Sequence, residues 1–246
     1  MRRPFFAVLG GMGTLATESY IRLVDKLTGA RADQEFLDYV VFNDAAIPDR
    51  TAFILGRSDD DPFPVLADDV AKATAIGASF ITIPCNTAHF VLPRLQKLTD
   101  VPFLNMPHGA VERMKATLPV ATHPRVGFMG TEGSRHIGLY QREIEAAGYT
   151  FVEPDDELQA RIHSLIYNDV KGGGPLDLGR YRSVIDTFLD KSDSLAAKYR
   201  CDIVVLGCTE LSVLNEAFPL PDLPIIDAQA VLAEDTVALA KSLREK

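Results

Sequence analysis

Short apolar runs at 5–9, 39–42, 79–83, 101–104, 125–129 and 202–206 punctuate the chain, many of their residues Phe, Val or Ile. Runs of that length without polar alternation predict strands buried on both faces. Between them, apolar positions recur at helical spacing near 14–28, 64–77, 86–98, 108–117, 135–147, 157–170, 180–199 and 228–243. Strand and helix alternate throughout, which predicts an α/β fold of parallel sheets flanked by helices.

The pattern also repeats. Phe6-Ala7-Val8-Leu9-Gly10-Gly11-Met12-Gly13-Thr14 resembles Val126-Gly127-Phe128-Met129-Gly130-Thr131-Glu132-Gly133-Ser134, at an offset of 120. The segment Ser79–Thr87 resembles Asp202–Glu210 at an offset of 123, and Pro102–Asn105 resembles Pro224–Asp227 at 122. Three matches in one order at nearly constant spacing predict two copies of one α/β unit, related by a pseudo-twofold duplication.

Each copy ends a strand in a chemically useful junction. Gly10-Gly11-Met12-Gly13 lets the backbone bend sharply and leaves amides free at the next helix start. Cys85 and Cys208 each follow a buried run and precede Asn86 or Thr209, residues that favour helix starts. Open α/β sheets place ligands at the carboxyl ends of their strands. Two facing copies would therefore set two thiols on opposite sides of one cleft. A base on one face of a carbon and an acid on the other can invert its configuration. Helix starts favour thiolate, and the amides around Asn86, Thr87 and Thr209 could receive a carboxylate. The bland alternative is that each cysteine is a packing residue. Cys201 is read that way, because it begins its strand and has no counterpart in the first copy.

Composition narrows the classes. The 246 residues carry 25 basic and 34 acidic side chains, a net charge of 25 − 34 = −9. That balance argues against nucleic acid or an anionic membrane as partner, while a small anionic ligand can still find a locally positive site. No apolar stretch is long enough to span a bilayer. Met1-Arg2-Arg3 and the apolar run after it loosely imitate an export signal, but three glycines interrupt the run. Three cysteines suit reduced thiols, so a cytoplasmic location is expected.

Four motifs together carry a family resemblance: Gly10-Gly11-Met12-Gly13, Ile47-Pro48-Asp49-Arg50-Thr51, Pro84-Cys85-Asn86-Thr87-Ala88 and Gly207-Cys208-Thr209-Glu210. The chain resembles, over essentially its whole length, the aspartate racemase branch of the aspartate/glutamate racemase superfamily. The resemblance implies two similar domains: 1–105 with 222–246, and 106–221, the final helix returning to the first. It also implies catalysis between them without pyridoxal phosphate, metal or other cofactor, an amino acid as substrate, and a homodimer. By the same resemblance Cys85 and Cys208 transfer the protons, and Arg50 holds a substrate carboxylate. Lys171 supplies a second cationic contact, and Met12, Thr51, Asn86, Thr87 and Thr209 line the pocket, with Gly13 and Glu210 in support. Glutamate racemases of the superfamily carry an acidic-serine start where this chain has Gly10-Gly11-Met12-Gly13. Aspartate is therefore the expected substrate, with broader amino-acid specificity as the alternative.

Competing readings stand beside each residue. Arg50 could be a surface arginine beside Asp49, and Lys171 a solvated lysine before a Gly172–Gly174 hinge or lid. His89, one helical turn after Cys85, could pair with the thiol, but a capping or core role is more common. Asp59-Asp60-Asp61 reads as a solvated loop charging the next helix start. No metal-ligand spacing appears, and the glycine turn lacks the dinucleotide spacing. Maleate isomerases and hydantoin racemases share the architecture, and a two-lobed amino-acid sensor is the non-enzyme alternative.

Overall fold

Strands form where the apolar runs lie, and the computed structural model describes residues 3–190, 192 and 197–245. They are β1 (Phe6–Gly10), β2 (Tyr39–Asn43), β3 (Ile81–Thr82), β4 (Arg125–Gly130), β5 (Thr150–Val152), β6 (Ile203–Gly207) and β7 (Ile225–Asp227). Helices of the first part of the chain are α1 (Thr14–Thr28), α2 (Arg50–Ile54), α3 (Phe63–Ala75), α4 (Leu92–Leu95) and α5 (Met106–Thr117). They are followed by α6 (Glu132–His136), α7 (Gln141–Ala146), α8 (Asp156–Ser164), α9 (Leu178–Leu189), α10 (Thr209–Ala217) and α11 (Ala228–Arg244).

Two sheets result, ordered β2-β1-β3 and β5-β4-β6-β7, and every pairing is parallel. The duplication is visible in this order. β1 corresponds to β4 and β3 to β6. Phe103 bridges Ile81 in parallel, in the place that β7 takes beside β6. The run at 101–104, expected as a strand, thus survives only as a bridge. The sequence pattern passes over β5 and β7, each three residues long, and the short helix α2. It also passes over α10, whose polar first turn hides its apolar stripe. β7 extends the second sheet beside β6.

Strand alternation explains how the two units join. Phe6 and Val8 of β1, Val126 and Phe128 of β4, and Ile203 and Val205 of β6 enter one shared core. Helices α1, α5 and α11 fill it through Tyr20, Val24, Met114, Val231 and Val237. The opposite faces, Ala7 and Leu9 on one sheet and Val204 and Leu206 on the other, feed separate cores. A period of two sends neighbouring residues to opposite faces, so each sheet is buried on both sides.

The expected helices are less continuous than their pattern. Residues 86–98 form two short 3₁₀ turns around α4, and 135–147 divide into α6 and α7. The expected helix at 180–199 ends at Leu189 as α9, while 191 and 193–196 lie outside the described residues. Helix 157–170 does continue, but its last part, Leu165–Lys171, is wound as a π-helix. That wider winding is a frequent mark of functional segments.

Two local devices fix the strand ends that carry the cysteines. Gly130 and Gly207 are register partners, and a Cβ on either would collide with the Phe128 ring. Phe128 is fully buried against Tyr140 and Phe151, with ring centroids 5.1 and 5.7 Å away. The ring therefore lies over a floor made flat by two glycines, immediately before Cys208. On the other unit, His89 Nδ1 donates to the Cys85 carbonyl at 2.9 Å, and His89 Nε2 accepts from the Met106 amide at 3.1 Å. This confirms the structural reading of His89: it ties the Cys85 turn to the start of α5.

Gly207→Ala is expected to destabilise the protein by about 1–3 kcal/mol through overpacking against Phe128, read as a lower urea midpoint at unchanged slope. Burial pushes the His89 imidazole down from 6.5 to about 4. The unfolded chain then binds a proton below 6.5 that the folded protein refuses until about 4. Across that window the wild type should lose about 3 kcal/mol relative to His89→Gln. Parallel slopes of unfolding free energy against pH would refute this.

Candidate active site

The carboxyl ends of β1, β3 and β6 converge, and the loops after them enclose a cavity of about 10 Å³. Its lining includes Met12, Arg50, Thr51, Asn86, Thr87, Lys171, Thr209 and Glu210, together with both Cys85 and Cys208. All eleven residues singled out from the sequence are therefore local to one place, since Gly13 lines an adjoining vestibule of about 400 Å³. The small cavity holds about one water. Met12, Asp49, Arg50, Lys171 and Glu210 line both spaces and separate them.

Each side chain is held by its element. Gly11 has φ +86°, and a Cβ there would strike the Asp44 carbonyl, so only glycine fits. Thr17 accepts from the Gly11 amide at 3.1 Å and donates to the Gly13 carbonyl at 3.0 Å, fixing the turn that presents Met12. Asp49 caps α2 by accepting from the Ala52 amide at 2.8 Å, and Arg50 begins the helix. Arg50 is 6% exposed, which removes the surface reading. Its Nη1 donates to the Ile47 and Pro48 carbonyls at 3.2 and 3.0 Å, and Nη2 to the Met12 carbonyl at 2.8 Å. The terminal nitrogens thus lock the two loops together, while Nε is buried without a partner. Burial opposes the Arg50 charge, but the Cys85 sulfur, Asp49 and Glu210 outweigh it and hold the guanidinium above its ordinary value.

The cleft walls are tied across the two units by hydroxyls. Thr87 Oγ1 lies 3.0 Å from both Thr131 Oγ1 and Ser134 Oγ. Asn86 Oδ1 accepts from the Tyr140 hydroxyl, and its Nδ2 is buried without a partner. Two unpaired N–H donors, Arg50 Nε and Asn86 Nδ2, therefore sit on residues lining the Cys85 side. A buried donor without an acceptor costs about 1–3 kcal/mol, so an anionic ligand would relieve both.

The Cys208 side is acidic. Cys208 is the N-cap of α10, and no side chain caps that start. Its thiol donates to Glu210 Oε2 at 2.9 Å, while Glu210 Oε1 lies 3.8 Å from Lys171 Nζ. Lys171 also faces Asp49 Oδ2 at 4.0 Å and rests over the Tyr167 ring at 4.6 Å. Burial lowers the affinity of Lys171 for its proton, yet Glu210, Cys208 and Tyr167 together raise it above the ordinary lysine value. Cys208 departs from the expectation that a helix start favours thiolate. Burial first, then Glu210, push its thiol well above the ordinary range, against the opposing pull of Lys171.

Lys171 is thus no solvated loop residue. Cβ atoms at Gly172 and Gly174 would come within 2.8 and 2.7 Å of the Asn168 carbonyl oxygen. The glycines let the chain fold tightly back on the π-helix, and this aims Lys171 inward. Sequence reasoning missed three lining residues: Asp49, Thr131 and Tyr167. Asp49 adjoined a motif residue, and Thr131 stood in the second copy of the glycine turn. Tyr167 lies one turn before Lys171 and had no signal of its own.

Residues 9–236 match the Asp/Glu/hydantoin racemase family. The broad-specificity amino-acid racemase RacX of Bacillus subtilis is 26% identical over 239 residues, covering 94% of this chain and 96% of its own. The Picrophilus torridus aspartate racemase structure superposes with a TM-score of 0.75 at 25% identity, over 97% of this chain and 94% of that one. Glutamate racemase from Francisella tularensis shares the fold at a TM-score of 0.65 and 16% identity, over 98% and 82%. The chain belongs to the Asp/Glu/hydantoin racemase family, and its chemistry is that of a racemase.

Proposed function

We propose that the protein racemises an amino acid without a cofactor, aspartate first, by passing protons between Cys85, Cα and Cys208. The observation that carries this is one small cavity lined by a sulfur from the end of each sheet, with Arg50 and Lys171 beside them. The substrate α-carboxylate would accept from Arg50 Nε and Asn86 Nδ2, placing Cα between the sulfurs. One sulfur takes the Cα proton while the other returns one from the opposite face; roles exchange for the other enantiomer. A second carboxylate, as in aspartate, would draw Lys171 away from Asp49 and Glu210.

Room for an amino acid must be made, because the cavity holds only about one water. The Lys171 ion pairs with Asp49 and Glu210 close it from the vestibule, so substrate entry parts them. The vestibule favours a second reading. With Leu15, Ala16, Ile47 and Val170 in its wall, it could receive side chains longer or less polar than that of aspartate, in keeping with the broad specificity of the relative RacX.

Cys85→Ala and Cys208→Ala should each lower racemisation of L- and D-aspartate by at least about a thousandfold, the scale of acid–base catalysis, with the circular dichroism spectrum unchanged. Chiral chromatography reads the loss, and solvent deuterium should enter Cα during wild-type turnover; full activity in either variant rejects the mechanism. Lys171→Met should raise KM for aspartate at least about tenfold while affecting a monocarboxylic amino acid less. An equal loss for both would deny Lys171 a part in recognising the side chain.

A further inference from the structure

We infer that Glu210 is a positioning residue that keeps the proton on Cys208 in the free protein, so that Cys208 is the sulfur poised to give one. This rests on the two-cysteine reading above and assigns the resting proton within it.

The geometry is asymmetric although the scaffold is duplicated. Cys208 Sγ donates to Glu210 Oε2 at 2.9 Å. A thiolate there would put two anions in contact inside a nearly dry cavity, where their repulsion is poorly screened. The first unit has no equivalent carboxylate. Asn86 and Thr87 follow Cys85, and the buried Arg50 guanidinium interacts with its sulfur. Charged and titratable groups reach Cys208 from both units. Glu210 comes from α10, Lys171 and Tyr167 from the π-helix, Asp49 and Arg50 from α2 and its cap, Cys85 from the end of β3, and Tyr140 from the start of α7. Lys171 favours a Cys208 thiolate, but its nearest carboxylate oxygens belong to Glu210 and Asp49.

In turnover from this state the Cys85 sulfur takes the Cα proton, and the C–H electron pair remains on Cα. Cys208 then gives its proton to the other face, and the S–H electron pair remains on its sulfur. The product leaves with Cys85 protonated and Cys208 anionic. Repulsion by Glu210 drives a solvent proton back onto Cys208 while Cys85 releases one, restoring the resting arrangement without net proton consumption.

Alkylation by iodoacetamide at about pH 8, with peptide mass spectrometry, reads each sulfur without requiring turnover. In the wild type Cys85 should be modified at least about tenfold faster than Cys208. Glu210→Gln should speed modification of Cys208 at least about tenfold, the change in thiolate fraction for one pKa unit, with Cys85 little changed. Glu210→Asp, which retains the charge, should stay near the wild-type rate. An unchanged Cys208 rate in Glu210→Gln with a wild-type melting profile would overturn the inference. So would faster labelling of Cys208 than Cys85 in the wild type, a result that needs no variant to fold. If the labelling order and the Glu210→Gln response hold but no amino acid is racemised, the proton assignment stands and the racemase reading falls. If racemisation holds and the labelling order fails, the reverse applies.

Discussion

Ionisable groups buried around a cavity the size of one water must alternate in sign, and this constraint shapes everything near the two thiols. Asp49, Lys171, Glu210 and the Cys208 thiol form one run of neighbours, and Arg50 with Cys85 forms another. Arg50 and Glu210 are buried, so their charges depend on neighbours, whereas Asp49 and Lys171 keep part of their surface exposed. Arg50 shows the dependence most clearly. It spends its terminal nitrogens on three backbone carbonyls, which makes it a brace for the loops as well as a charge. A guanidinium engaged in that way cannot offer its full fork to a ligand; Nε is what it has left.

The duplication supplies position, and the departures from duplication supply chemistry. Equivalent strands, β3 and β6, deliver a cysteine just beyond each carboxyl end, and the shared core holds the two sheets in one relation. The residues after each cysteine then differ. Asn86 turns its carbonyl toward Tyr140 and Thr87 joins a hydroxyl cluster with Thr131 and Ser134, whereas Glu210 reaches back to its own cysteine. A perfectly symmetric pair would have to share one proton between identical sulfurs. Unequal neighbours remove that ambiguity.

Much of this was legible in the chain, because the decisive features are local. Apolar runs mark the strands, glycine turns mark the bends, and the offset of about 120 residues marks the duplication before any contact is known. The cysteines were found through that offset, and Arg50 through its Pro-Asp-Arg-Thr setting. What escaped is tertiary in origin. The strand at 101–104 has the right residues but little edge to pair with beyond the two-residue β3, so it is only a bridge. β5 and β7 are too short for a period-two signal. Tyr167 reaches the cavity only because the helix widens to π winding after Ser164, and no spacing rule for an ordinary helix would place it there. The raised Cys208 thiol likewise depends on where a carboxylate two residues away turns.

The same charge alternation joins the two units. Lys171 is partnered with Asp49 from the first unit and Glu210 from the second, so its ion pairs cross the mouth of the cleft. Pairs about 4 Å apart and partly exposed hold weakly. The lysine and its two carboxylates therefore form a partly exposed joint between the units.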